Sequence, residues 1–109
     1  MSGHQTAIFA TSSIIVDSAE AVRWARRDWE LRPNRVSEDA LAWALYRNGQ
    51  VTAALDASTR ALSGGDADAH MIFHAATINE AAGHRDVARR LTARLDTMNP
   101  RDRDFHAHR

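Results

Sequence analysis

The sequence contains no cysteine, which excludes disulfides, thiolate metal sites and cysteine nucleophiles and fits a reducing compartment. It contains no lysine either. All 14 cations are arginine, matched by 14 Asp and Glu, so no net charge draws the chain to nucleic acid or to a membrane surface. Proline occurs only at Pro33 and Pro100, and the five glycines gather at a few points. Nothing in the sequence is apolar for long enough to cross a bilayer. The opening "MSGHQTAIFATSSIIVD" lacks the basic start and the apolar length of a signal peptide, so a cytoplasmic location is the expectation. Period-two alternation is also missing over any length. "SSIIVD" has the residues of a short strand but no neighbour to pair with.

The residues that are present are those of helices. The chain has 109 residues, 44% apolar and 26% charged, which suits one globular domain with a modest core. From Asp17 to Leu31, Asp17 and Glu20 have capping-box spacing, and Ala21, Val22, Ala25 and Trp29 form an apolar stripe that Pro33 stops. Ser37 is placed to cap a second helix, with Glu38 and Asp39 at its positive end and a stripe of Leu41, Ala44 and Leu45 ended by Gly49. A third carries Ala54, Leu55, Ser58, Ala61 and Leu62 up to "SGGD". Asp66 or Asp68 caps a fourth, through Ile72, Ala75, Ala76 and Asn79 to Gly83. A fifth carries Val87, Ala88, Leu91, Leu95 and Met98, closed by Asn99-Pro100. The expectation is an all-α fold of about five helices joined by short turns. Residues 1–17 form an N-terminal segment with the makings of a partial helix, residues 18–100 the helical domain, and residues 101–109 a polar tail.

Candidate chemistry is sparse. His70 and His74 lie four apart on one helical face, a spacing that suits zinc, but a site needs three or four ligands, and Met71 and Ile72 stand where a metalloprotease has its glutamate. His106 and His108 belong to the tail. Arg85, Arg89, Arg90 and Arg94 make the last helix basic on its outer side, yet Asp86 and Asp96 offset them and no aromatics interleave for base stacking. "SGGD" lacks the lysine and strand of a phosphate loop. The expectation is therefore no catalytic residues, no metal, no cofactor and no nucleic-acid or membrane partner.

One offset recurs. The interval from Gly49 to Gly83 is also the interval from Ala42 to Ala76, from Ala54 to Ala88 and from Arg60 to Arg94. Small residues and a turn glycine are what a helical hairpin has least freedom to change. At these positions the chain resembles the tetratricopeptide repeat family, whose unit is an antiparallel helix pair of about 34 residues, the same interval. Leu41, Ala42, Gly49, Ala54 and Ala61 match one unit, and Ala76, Gly83, Ala88 and Pro100 the next. Upstream, Ala21, Leu31 and Pro33 look like the second helix of an earlier unit. The resemblance covers residues 18–100 and is similar to the C-terminal repeats of bacterial members. Ala75 stands in place of the family's leucine, Leu95 in place of its second small residue, and Asp28 where a small residue is usual.

The resemblance implies a right-handed α-solenoid of stacked antiparallel hairpins, acting as a non-catalytic module that binds a peptide or protein segment in a concave groove. By the same resemblance Asp39, Trp43, Tyr46 and Arg47 face that groove, with His70, Phe73, Thr77 and Glu80 from the next unit. The alternative for Trp43 and Tyr46 is packing against residues 1–16. The Lys, Asn and Arg with which some members clamp a peptide carboxylate are replaced here by Asp39, Trp43, His70 and His74, so that ligand does not carry over. A stack has two ends to cover. Trp24, Trp29 and the N-terminal segment point to a homodimer, the second functional reading. A metal protein or enzyme built on His70 and His74 is the third.

Overall fold

The computed structural model describes residues 2–98, with side chains from Asp17 onward, as five α-helices. They are α1 (Ser2–Leu31), α2 (Arg35–Arg47), α3 (Val51–Leu62), α4 (Ala69–Ala81) and α5 (Arg85–Met98). No strand occurs among the described residues, and "SSIIVD" is helical. Helix α1 runs straight through Asp17, which is therefore not a cap. No glycine or proline stands between residues 4 and 32 to break it. Asp, Ser and the β-branched residues cost only tenths of a kcal/mol each inside a helix. Pro100 and the 101–109 tail, with His106 and His108, lie outside the described residues, as does any packing of residues 1–16 against Trp43.

The start of α2 differs from the expectation too. Asn34, not Ser37, is the N-cap, with extended backbone (φ −153°, ψ 174°). Its Oδ1 accepts from the Ser37 amide at 2.9 Å, and Ser37 Oγ accepts from the Asn34 amide at 3.1 Å. The Ser37 hydroxyl donates back to the Arg32 carbonyl at 2.7 Å, so this buried serine is satisfied. Pro33 holds Arg32 away from helical backbone, which sets the extended entry that Asn34 completes.

The repeat offset is visible in the backbone itself. Asp68 caps α4 as Asn34 caps α2, its Oδ1 accepting from the Met71 amide at 2.9 Å. At the first turn the Gly49 amide bonds Tyr46 O at 2.9 Å and the Gln50 amide bonds Leu45 O at 2.9 Å. At the second, Gly83 bonds Glu80 O at 3.1 Å and His84 bonds Asn79 O at 2.9 Å. Each pair is a Schellman motif, and each turns on a left-handed glycine, φ +81° at Gly49 and +85° at Gly83. Turns this short leave the flanking helices no arrangement but antiparallel. The result is two hairpins, α2/α3 and α4/α5, with α3 packed on α4 and α2 also touching α4. Helix α1 packs on α2.

The core follows the stripes. Leu41, Ala42, Leu45, Ala54 and Ala57 are fully buried between α2 and α3, joined by Val22 from α1 and Ile78 from α4. Alanine at the crossings lets the helices approach closely. Trp29 packs against this cluster, with the Arg60 guanidinium 5.9 Å above its ring. Arg60 also donates to Glu38 at 2.6 Å, tying α3 to the first turn of α2. Trp24, by contrast, faces outward, its indole donating to Glu20 at 3.3 Å, and Leu31 and Ala21 are exposed as well.

Nothing lies within 4 Å of a Cβ built on Gly49, so its requirement is conformational alone. Gly49→Val should cost about 2 kcal/mol, Gly49→Ala about 1 kcal/mol and Gly49→Asn less than either, in the order of their left-handed strain. Urea melts of the three variants check the order.

Candidate functional site

Asp39, Trp43 and Tyr46 run down the side of α2 that meets α4, over two helical turns. Because α2 and α4 run parallel, a ladder of rings forms where they meet. The His74 ring stacks on Trp43 at 4.1 Å and on His70 at 5.6 Å, within 17° of parallel in both cases. Trp43 continues the ladder to Tyr46 at 5.0 Å and leans on Phe73 at 6.4 Å. His74 Nδ1 lies 3.0 and 3.1 Å from the two carboxylate oxygens of Asp39, donating to them as Nδ1–H. Both side chains are only 13% exposed, so this pair ties the second hairpin to the first.

The placement sorts the expected groove residues. Asp39 is turned to His74 rather than outward. Trp43 is half-buried and packs against the core cluster. A Trp43→Ala variant would therefore lose stability along with any binding. Arg47 is exposed, at the last turn of α2. His70 is exposed at the other end of the ladder. Among the described residues no three His, Asp or Glu gather as metal ligands around His70 and His74.

Tyr46, Phe73, Thr77 and Glu80 share a groove of about 850 Å3 between α4 and α5. Its other wall is Ala88, Arg89, Thr92, Ala93, Leu95 and Asp96, with Ala76 at the bottom. The sequence points only to the α2 and α4 side. Helix α5 supplies the rest at spacings of three and four. Ala88, Leu95 and Ala76 form an apolar floor that is nearly buried by its own hairpin. Charge is confined to the rim. Arg89 is paired with Asp86 on its own helix, and Glu80 lies 3.9 Å from Arg85, both well exposed. Exposed pairs of this kind contribute little to stability and rearrange readily. The other arginines of α5, Arg90 and Arg94, are exposed on the surface.

An apolar floor, aromatic residues at one end and a charged rim suit recognition of a chain segment. No described helix is long and apolar enough to cross a membrane. No known family model, curated protein or solved structure matches the chain.

Proposed function

We propose that the chain is a non-catalytic protein-interaction module, two tetratricopeptide-like hairpins of a right-handed α-solenoid that bind a peptide or protein segment in the cytoplasm. The observation that carries this reading is the α4/α5 groove, into which Tyr46, Phe73, Thr77 and Glu80 all open. The coincidence of caps, turns and buried alanines at one repeat offset supports the family resemblance. The hairpins are held by the core and the His74–Asp39 pair, so the surface is formed before a partner arrives, and little ordering cost falls on binding.

A photo-cross-linking residue tests this reading. Placed at Thr77 in the groove, it should capture a discrete protein in the native host. Placed at Asp56, exposed on α3, it should capture none. Equal labelling at both positions, or none at Thr77, would count against the groove.

A second reading is a homodimer through α1. Its specific support is Trp24 and Leu31, 62% and 72% exposed and two turns apart on one helical face. In that case Trp24→Arg should convert a sedimenting dimer to monomer, and the groove would stay free for another partner.

A further inference from the structure

The two hairpins are copies of one unit, but among the described residues only the first has a further helix packed over it. Ile78 of α4 packs into the cluster that holds Ala42 and Ala54, and Ala42, Ala54, Ser58 and Ala61 are all 2% exposed or less. Shifted by one unit, these four positions become Ala76, Ala88, Thr92 and Leu95, and all four line the groove, Thr92 exposed and the other three forming its nearly buried floor at 4–8%. Among the described residues nothing sits where α4 sits one unit earlier. The first hairpin therefore serves as a template for the occupant of the second.

From this correspondence we infer that the α4/α5 groove takes an amphipathic α-helix of a partner protein, lying parallel to α4. Its recognition pattern can be read from what changes between the units. In the first, Asp39 and Trp43 receive His74 of α4. In the second, Phe73 and Thr77 stand in those places. An aromatic replaces the acid and a small residue replaces the indole, so the occupant has a large aliphatic residue where α4 has His74. One turn on, in the place of Ile78, it has another apolar residue to meet Ala76 and Ala88. Two turns on, Tyr46 gives way to Glu80, an exposed carboxylate at the rim. There the occupant has an arginine or lysine. The pattern is aliphatic, apolar at +4 and basic at +7, all on one helical face. Charge complementarity at Glu80 sets the direction of the bound helix.

The inference rests on the groove being the binding surface, and it can fail separately. If Thr77 captures a partner through an extended segment, the helix is wrong and the interaction reading stands. The probe is a fluorescein-labelled peptide with the sequence of residues 66–82, carrying H74L and A81R, titrated into the full chain by anisotropy. It should bind about fivefold more tightly than the same peptide with A81E in place of A81R. Glu80→Arg in the protein should reverse that preference. Ala93→Arg, an exposed change in the groove wall, should abolish binding of both peptides with no change in the melting curve. Absence of binding by either peptide overturns the inference, as does binding indifferent to Ala93→Arg or to Glu80→Arg. A chain that sediments as a dimer broken by Ala93→Arg gives the groove to a second copy and overturns it as well.

Discussion

Ile78→Ala is expected to destabilise the protein by about 2–5 kcal/mol, the range for emptying a fully buried aliphatic site. Ile78 is 0% exposed and is the α4 residue that enters the cluster of Val22, Leu41, Ala42, Leu45, Ala54 and Ala57. Removing three carbons there leaves a cavity between the hairpins, not within one. Closing it would require α4 to move toward α2 and α3, which the His74–Asp39 pair and the ring ladder resist. A chain of this length has about 5–15 kcal/mol of total stability, so the loss is a large share of it. Denaturant melts followed by circular dichroism measure it. A loss below about 1 kcal/mol would mean that the hairpins do not depend on this contact.

The second large effect is a contrast between two equivalent alanines. Ala54→Leu inserts three carbons at a site with no exposure, where α4 already covers the hairpin. Overpacking of this kind costs about 1–3 kcal/mol. Ala88→Leu makes the same change one unit later; Ala88 is itself only 4% exposed, but it borders the groove, where no helix among the described residues closes over it and the added carbons can turn outward. It should cost well under half as much. Comparing the two urea midpoints tests both the repeat and the openness of the second unit. Equal losses would mean that the groove is filled, and Ala88→Leu should also obstruct any helix bound there.

What the sequence makes legible is local. The stripes of α2 to α5 and the turn glycines can be read because a helical period and a left-handed turn each restrict a few adjacent residues. The start of α2 is ambiguous in sequence because Ser37 and Asn34 are both good caps. The choice depends on Pro33, which keeps the chain extended as it reaches Asn34. Asp68, one unit beyond Asn34 and also a cap, is the signal that resolves it. The continuity of α1 is hidden because Asp17 reads as a cap when nothing says that helix already precedes it. The ring ladder and the His74–Asp39 pair join residues distant in the chain, and only the side-by-side packing of α2 and α4 brings them together. The α5 wall of the groove escapes for a different reason. Ala88, Thr92 and Ala93 are small residues that read as packing, and their place along a groove follows from what α4 and α5 leave uncovered.

The central claim is that the groove between α4 and α5 is the working surface, and chemical-shift mapping of the labelled full chain tests it most directly. On addition of the H74L/A81R peptide, the amides of Phe73, Thr77, Glu80, Ala88, Thr92 and Ala93 should shift together in one saturable process, while those of Trp24 and Asp56 stay still. Shifts centred on Trp24 and Leu31, or none on α5, would contradict it.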